Sequence, residues 1–297
     1  MKFVMISDLH LLWDKPIARL DDIRETQRRK LEFVLSFAKD KDAILLEAGD
    51  FFNRPRSWYL LPETIDLLKK YKVEILAVFG QHDVYMYNEI SRAATSLGLL
   101  EKAGLVKILH FGDAERNIYG CSYGQEIPKV IAKDALNILV IHAPIAEQAI
   151  YPGQNYMDAF IFLKRHKDFD IILAGDIHQK FIFEYEGRWI LNSGAMLRKE
   201  ANLYNFTYKP GFWFVDAAKK IKPEWIEIPH EPAENVLSRA HLDYSEDATK
   251  ILDEFINSVG QVEVEDDVSF VDNLWLFVKK NKISKEVENI LSEVVNG

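Results

Sequence analysis

The chain has 297 residues, of which 48% are hydrophobic and 28% charged, and its net charge is −9. This composition predicts one large globular domain with a small appendage, and no apolar run reaches the roughly 18 residues that a membrane span needs. The first residues lack the layout of a signal peptide, and a single cysteine, Cys121, excludes an internal disulfide. We therefore expect a cytoplasmic protein without membrane association, in which Cys121 is a small core residue.

The negative charge is concentrated towards the C-terminus. Residues 243–297 contain 13 acidic residues and 5 lysines, a net charge of −8, whereas residues 1–242 have a net charge of −1. The overall acidity therefore does not exclude a nucleic-acid partner for residues 1–242, because only the groove that meets the phosphates must be basic.

Short apolar runs alternate with helix-like stretches over the first 180 residues. Strands are predicted at residues 2–6, 43–46, 73–79, 137–141 and 170–174, and helices at residues 24–38, 62–70 and 88–102. This alternation is typical of an α/β fold with much parallel strand pairing.

After His178 the pattern becomes that of an antiparallel sheet, with strands predicted at residues 181–185, 188–191, 211–215 and 225–228. Prolines then mark the end of a domain over residues 1–232. Residues 245–297 are predicted to form a small C-terminal α/β unit, with helices at 248–259 and 283–295 around a strand near 270–278.

Side chains that bind metals follow the ends of five predicted strands. They are Asp8 and His10, then Asp50, then Gln81 with His82 and Asp83, then His142, and finally Asp176 and His178. In open α/β sheets, ligands bind beyond the carboxyl ends of the strands. A pair of metal ions on a phosphodiester needs such oxygen and imidazole ligands, including a carboxylate that bridges the ions. A lone histidine or Gly-Asp pair is weak evidence, but the joint pattern predicts a metal centre.

The series resembles the calcineurin-like metallophosphoesterases over about residues 1–195, and Gly49-Asp50-Phe51-Phe52 with the segment through His82 is most similar to the SbcD-type nuclease subunit of double-strand-break repair. The resemblance implies a four-layer α/β/β/α sandwich and two divalent ions, Mn²⁺ first and Mg²⁺ as the alternative.

The resemblance also implies a role for each residue. Asp50 would bridge the two ions, and His82 would act on the scissile phosphate as a catalytic residue, oriented by Asp83. The remaining ligands form two sets: Asp8, His10 and His178 for the first ion, and Gln81, His142 and Asp176 for the second.

Two of these positions depart from the family pattern. The family has Asn where this chain has Gln81, and His where it has Asp176. A carboxylate in place of an imidazole favours Mn²⁺ or Mg²⁺, and the longer amide predicts a more weakly bound second ion. The alternative is that Asp176 has lost its role as a ligand.

Arginines and aromatic residues lie in the loops after the second and third strands and near residue 198. The predicted substrate-binding residues are Arg54, Arg56, Tyr85 and Arg198. Arginine suits phosphate and aromatic rings suit bases, so a nucleic-acid strand fits these loops. The alternative for the aromatic residues is a loop packed over the core.

These observations predict a DNA exonuclease or endonuclease of the SbcD type. Two alternatives stay open: a phosphodiesterase or phosphatase acting on a small nucleotide-like molecule, and a non-catalytic subunit of a nuclease–ATPase complex. By analogy with SbcD-type nucleases, expected partners are DNA, a second copy of the chain and an SMC-like coiled-coil ATPase. Residues 245–297 would form a reduced DNA-facing cap or a segment that docks the ATPase, and their negative charge favours docking; the alternative is a small packing appendage.

Overall fold

The computed structural model describes residues 1–110, 116–131, 135–151, 153–218, 221–240, 274, 275, 278, 285, 291 and 292. Apolar strands buried on both faces form the centre of the two larger sheets, whereas the edge strands at residues 181–185 and 224–227 are partly exposed. The strands are β1 (Lys2–Ile6), β2 (Ile44–Glu47), β3 (Ile75–Ala77), β4 (Lys107–Ile108), β5 (Ile118–Cys121), β6 (Ile138–His142), β7 (Ile145–Ala146), β8 (Met157–Asp158), β9 (Ile171–Gly175), β10 (Phe181–Tyr185), β11 (Arg188–Asn192), β12 (Gly211–Asp216) and β13 (Glu224–Glu227).

The helices that flank these strands are α1 (Ile23–Lys41), α2 (Leu61–Tyr71), α3 (Ser96–Lys102), α4 (Ala159–Arg165), α5 (Leu203–Thr207) and α6 (Ala233–Val236). The longest, α1, begins where the Asp22 carboxylate accepts hydrogen bonds from the backbone N–H groups of Arg24 and Glu25, and it ends at Asp42 in the left-handed conformation. Such caps satisfy backbone groups that the helix leaves unpaired.

The first sheet has the strand order β13-β12-β1-β2-β3-β4, and the second has the order β10-β11-β9-β6-β5. Strands β1 to β4 pair in parallel in the first sheet, and β5, β6, β9 and β11 pair in parallel in the second. The carboxyl ends of these parallel strands therefore lie at one edge of each sheet.

Side chains that point alternately to the two faces of each strand contribute to three separate hydrophobic cores. On β1, Val4 and Ile6 pack against α1 and α2, whereas Phe3 and Met5 pack against the second sheet. On β9, Ile172 and Ala174 face a further core that includes Phe162 of α4. Because successive strand residues point to opposite faces, the chain forms the expected four layers of helices, sheet, sheet and helix, and the predicted fold class is confirmed.

The strands after His178 do not form a separate antiparallel sheet, so that expectation is wrong. Strand β11 pairs in parallel with β9 of the second sheet and antiparallel with β10, whereas β12 crosses to the first sheet and pairs antiparallel with β1. The large sheets recruit these strands because their edges offer unpaired backbone groups beside apolar faces.

The helix predicted at residues 88–102 is interrupted. Residues Glu89–Ala94 form a 3-10 helix, and α3 begins after Thr95, whose backbone is extended and whose hydroxyl accepts a hydrogen bond from the N–H of Gly98 at 3.1 Å. The side chain of Thr95 thus caps a new helix. The strand β5 and the helix α4 were not predicted.

Residue contacts divide the chain into the units Met1–Ser238 and Arg239–Gly297. In the second unit, the strand predicted near residues 270–278 is wrong at the described positions, because Leu274, Trp275 and Val278 are helical. Leu274 and Val278 are both buried, and their spacing of four residues fits one face of a helix. The helix predicted at 248–259, and that at 283–295 apart from residues 285, 291 and 292, lie outside the described residues.

Among the described residues, no helix combines the length and the apolar character needed to span a membrane. Cys121 is buried, as predicted. The cytoplasmic location stays a prediction.

Candidate metal centre

The predicted ligands lie where the carboxyl ends of the two sheets approach each other. The backbone N–H of Asp8, after β1, donates to the carbonyl of Gly49, after β2, at 3.1 Å. Across the sheets, the N–H of Asp176 donates to Asp8 Oδ1 at 3.2 Å. The loops that follow β1, β2 and β9 are thereby tied together, and their side chains converge.

The first ligand set lies on the side of His10. His10 Nε2 lies 2.9 Å from His178 Nε2 and 3.9 Å from Asp8 Oδ1, and His178 Nε2 lies 3.7 Å from Asp8 Oδ1. One ligand atom from each of these residues falls within 4.8 Å of the others. Two imidazoles and a carboxylate at this spacing can coordinate one metal ion.

The second ligand set surrounds His142. His142 Nε2 lies 2.6 Å from Gln81 Oε1 and 3.8 Å from Asp176 Oδ1. Asp50 Oδ2 is 3.6 Å from His142 Nε2 and also 3.6 Å from His10 Nε2. Asp50 therefore lies between the two sets, where a bridging carboxylate would stand.

The hydrogen bonds of His142 turn its Nε2 towards Gln81, the other uncharged ligand of the second set. Its Nδ1–H donates to the carbonyl of Ala48 at 2.6 Å, so Nε2 is the ring nitrogen that can serve as a metal ligand. Gln81 Nε2 donates to Asp176 Oδ1 at 2.5 Å, so Gln81 turns its oxygen towards His142. Two lone pairs that face each other at 2.6 Å need a proton or a cation between them.

Buried oxygens without partners give a second indication that metal ions fit. Asp50 Oδ1 accepts a hydrogen bond from the N–H of His82 at 2.8 Å, but Asp50 Oδ2 and Asp8 Oδ2 have no hydrogen-bond partner among the described residues. Because buried polar atoms are almost always satisfied, these two oxygens fit ligands of a cation.

The electrostatics of the pocket agree with this interpretation. Burial and the neighbouring carboxylates raise the pKa of Asp8 to about 7 and that of Asp50 to about 8. Burial and nearby cationic groups lower the pKa of His10, and they lower that of His178 to about 3. Histidines that stay neutral are ready to bind a metal, and divalent ions would offset the charge of the carboxylates.

The backbone at this site is held in conformations that cost energy. Four of the predicted ligands, Asp8, His10, Asp50 and Asp176, have positive φ angles of 53°, 45°, 59° and 86°. A non-glycine residue in such a sparsely populated conformation costs of order 1–3 kcal/mol, and residues of this kind cluster at functional sites.

The three glycines next to the ligands, Gly49, Gly80 and Gly175, do not all have the same role. Only Gly49 has a positive φ, of 89°. A Cβ on Gly80 would collide with Asp50 Oδ1, and a Cβ on Gly175 would collide with the carbonyl of Ala48 and lie 2.8 Å from His142 Nδ1. Gly80 and Gly175 therefore allow the loops to pack closely.

His82 lies at the open side of the centre. Its ring centroid is 5.0 Å from that of His10, and it groups with His10 and Asp50 within 4.8 Å. The backbone of Asn53 forms a hydrogen bond with His82, while burial and Lys199 lower the pKa of the ring.

Asp83 does not orient His82, so that expectation is wrong. Its buried carboxylate accepts hydrogen bonds from the N–H groups of Phe52 and Gly80 at 3.0 Å and of Phe51 at 3.2 Å. Because these three donors surround the carboxylate, Asp83 ties the loop after β3 to the loop after β2.

The predicted substrate-binding residues separate into exposed and buried groups. Arg54 is exposed and pairs with Asp14 at 3.1 Å, and the guanidinium of Arg56 lies 4.8 Å from the ring centroid of Tyr85. Arg198 is only 3% exposed, and its Nη2 donates to the carbonyl of Glu231 at 2.5 Å. Arg198 therefore faces away from the metal centre, and the prediction that it binds the substrate there is wrong.

Two further residues near the centre were not predicted as site residues. Lys199 donates to Asn53 Oδ1 at 2.9 Å, and it lines a cavity of about 390 Å³ with Asp176 and His178. Glu47 ends β2 fully buried, with a pKa raised well above its usual range by burial and by Asp83. The sequence contains a signal for each of these residues. Glu47 is an acidic residue within an otherwise apolar strand, and Lys199 directly follows Arg198.

Comparison with known proteins agrees with the family that the motifs indicated. The chain belongs to the calcineurin-like phosphoesterase family, whose model matches residues 1–180. Membership makes the chain a metal-dependent phosphoesterase. No curated protein matches the chain.

Similar solved structures include TT1561 of Thermus thermophilus, with 12% identity over 77% of this chain and 99% of that chain and a TM-score of 0.48. A novel archaeal phosphodiesterase has 12% identity over 76% of this chain and 100% of its own, with a TM-score of 0.39. A putative 5′-nucleotidase from Staphylococcus aureus has 12% identity over 77% of this chain and 54% of its own, with a TM-score of 0.45. At these identities the likeness does not define the substrate of this chain.

The raised pKa values of Asp8 and Asp50 predict the pH dependence of metal binding. The metal-free folded protein keeps these carboxyls protonated well above the ordinary value of 3.8, so their contribution to the unfolding free energy falls as pH rises towards 8. Metal binding displaces these protons. Between pH 6 and pH 8, Mn²⁺ affinity measured by calorimetry should therefore rise by about tenfold per pH unit for each proton displaced.

The Asp50→Asn variant serves as the control because it removes one of the titrating carboxyls at constant size. This variant should bind Mn²⁺ more weakly than the unmodified protein, and its Mn²⁺ affinity should depend less on pH. An affinity of the unmodified protein that stays constant from pH 6 to pH 8 would contradict the description of the site.

Proposed function

We propose that this chain is a two-metal DNA nuclease of the SbcD type. The observation that carries the proposal is the position of Asp50 Oδ2, equally far from His10 Nε2 and His142 Nε2. One ion would be held by Asp8, His10, Asp50 and His178, and the other by Asp50, Gln81, His142 and Asp176.

The second ligand set favours Mn²⁺ or Mg²⁺. It offers carboxylate oxygens of Asp50 and Asp176 and the amide oxygen of Gln81, against one imidazole nitrogen from His142. Hard oxygen donors suit these two ions better than the softer metals. The extra methylene of Gln81 allows its amide to reach both His142 and Asp176. This contact supports a role as metal ligands for Gln81 and Asp176, the two residues that depart from the family pattern.

When bound, the two ions would lower the pKa of water and neutralise phosphoryl charge. His82 would act on the leaving oxygen, and the position of its ring beside His10 and Asp50 at the open side of the centre supports this role. With a lowered pKa the ring is mostly neutral at pH 7, and its N–H can donate a hydrogen bond to that oxygen as charge develops there. The ammonium of Lys199, held by Asn53, adds a positive charge for a phosphate oxygen.

The loops next to the centre support a nucleic-acid strand as the substrate. A cavity of about 200 Å³ is lined by Trp13, Asn53, Arg54, Arg56 and Tyr59. The rings of Trp13 and Tyr59 lie 5.1 Å apart and are 44% and 75% exposed. Rings this exposed are not packed over the core, so they can stack with bases while the arginines meet phosphates.

One observation supports a second candidate function, that of a phosphodiesterase acting on a small nucleotide-like molecule. The cavity of about 390 Å³ beside His178 and Lys199 also contains Tyr151 and Tyr204. Its size falls in the range of small-molecule sites.

Partners are proposed by analogy alone. We expect SbcD-type assembly as a dimer with an SMC-like coiled-coil ATPase. The net charge of −8 on residues 243–297 favours contact with a protein over contact with phosphate.

DNA cleavage should depend on the exposed arginines. With Mn²⁺, the Arg54→Gln/Arg56→Gln variant should cleave single-stranded and duplex DNA about tenfold more weakly at moderate salt and show a shallower salt dependence, since each phosphate contact adds roughly 0.7–0.9 to the slope. Turnover of a small aryl phosphodiester should stay unchanged, because that substrate does not reach these loops.

Lys69→Gln, which removes an exposed positive charge from α2, is the control and should behave like the unmodified protein. Turnover of the small ester without any DNA cleavage would favour the second candidate. Loss of all metal-dependent cleavage with intact partner binding would favour a non-catalytic subunit.

The role of Asp176 as a ligand can be measured directly. Asp176→Ala should lower the number of bound Mn²⁺ ions per chain from two to one and reduce cleavage by at least about tenfold, because the second set loses a charged oxygen donor. Asp168→Ala, an exposed carboxylate, is the control. Stoichiometry and activity that match the unmodified protein would remove Asp176 from the site.

A further inference from the structure

A second cluster of charged side chains lies away from the metal centre, between α1 and the segment that follows β11. Arg19, Lys30 and Arg198 are each 3% exposed. They line an open cavity of about 470 Å³, together with Arg29 and His230. Three cations at this degree of burial are uncommon, because buried Lys and Arg are normally paired with acids.

Only one of these cations has a carboxylate partner among the described residues. Arg19 forms a two-pronged pair with Asp21, from Nε at 2.8 Å and from Nη2 at 2.6 Å. Lys30 Nζ donates to the carbonyl of Met196 at 2.8 Å, and Arg198 Nη2 donates to the carbonyl of Glu231. Lys30 and Arg198 therefore have only neutral backbone acceptors.

The carboxylate of Glu32 also borders the cavity, but it does not neutralise Lys30 or Arg198. Its oxygens bind Lys70 at 2.5 Å, Tyr71 at 3.0 Å and Arg28 at 3.1 Å. Neither Lys30 nor Arg198 therefore forms a salt bridge with a described residue, and the nearest negative charges, Asp21 for both and Glu234 for Arg198, act on them only at longer range.

Hydrogen-bond donors remain available in the same place. An ammonium has three N–H donors and a guanidinium has five, of which Lys30 and Arg198 each use one. Arg198 Nε is buried and has no partner within the described residues. Burial and the guanidinium groups of Arg198 and Arg19 lower the pKa of Lys30 well below its usual range, and Asp21 opposes this shift only in part.

We propose that this cavity, with Lys30 and Arg198 at its wall, binds an oxyanion of the phosphate class, either as free phosphate or as the terminal phosphate of a nucleotide or nucleic acid. A phosphate group suits these two side chains because its oxygens accept charge-assisted hydrogen bonds from the free N–H donors and its negative charge favours the protonated form of Lys30. Arg29, which is partly exposed at the rim, adds a further positive charge at the mouth of the cavity.

The site connects to the metal centre through one segment of chain. Lys30 holds the carbonyl of Met196, and the N–H of Met196 donates to the carbonyl of Asp8 at 3.1 Å. Arg198 is followed by Lys199, which borders the metal centre. An anion at the site therefore stabilises the segment on which both Asp8 and Lys199 depend.

The test uses the full chain freed of metal with EDTA, so that phosphate cannot bind to ions. Inorganic phosphate at constant ionic strength should bind saturably in calorimetry, with a dissociation constant at or below the millimolar range, and should raise the melting temperature, whereas chloride should not. Lys30→Met should weaken phosphate binding at least tenfold. Lys39→Met, which removes an exposed charge from the same helix, should leave it unchanged.

A 5′-phosphorylated dinucleotide compared with its unphosphorylated form distinguishes a terminal phosphate from free phosphate. If Lys30→Met does not fold, Arg29→Gln replaces it and should weaken binding several-fold. Absence of saturable phosphate binding to the unmodified protein, or equal binding by Lys30→Met, would overturn the proposal. Because no metal and no cleavage are involved, this outcome is independent of the nuclease assignment.

Discussion

The strongest constraint on this structure is the negative charge buried where the two sheets meet. Asp8 and Asp50 lie fully buried beside His10 and His142, and Glu47 and Asp83 add buried carboxylates behind them. Carboxylates placed together in this way repel one another and lose hydration. Protons neutralise this charge in the metal-free protein, where the pKa values of Asp8 and Asp50 are raised to about 7 and about 8. Cations can replace these protons, and the unpaired oxygens of Asp8 and Asp50 are the atoms that would face them.

The rest of the fold holds these buried carboxylates in position. Backbone N–H groups from neighbouring loops reach the carboxylates of Asp8, Asp50 and Asp83, and the apolar core between the sheets holds those loops at a fixed separation. The positive φ angles of four ligands store strain that this core balances. Rigid mounting of the ligands matters because a metal-assisted reaction depends on ligand positions to within a fraction of an ångström.

Much of the site could be predicted from the sequence because its signals are local. A strand buried on both faces is a continuous apolar run, and the polar residues that follow it must lie at the carboxyl edge of the sheet. From this argument we could predict that Asp8, Asp50 and His142 lie close together. The same argument does not predict hydrogen bonds between loops. It therefore did not show that Asp83 binds backbone N–H groups and not His82.

Long-range pairing explains the other differences. Nothing in residues 211–216 shows that this strand pairs with residues 2–5 in the first sheet, because edge pairing is decided by the whole fold. At residues 198 and 199 the sequence shows two adjacent cations, and only the packed structure separates Arg198, turned towards α1, from Lys199, turned towards the metal centre. The break at Thr95 depends on a single hydroxyl group.

Anomalous X-ray scattering from crystals grown with Mn²⁺ tests the central claim most directly. We predict two manganese peaks on either side of Asp50 Oδ2, one within coordination distance of Asp8, His10 and His178, and the other within coordination distance of Gln81, His142 and Asp176. The absence of any peak at Asp50, or manganese bound only at other carboxylates, would contradict the account.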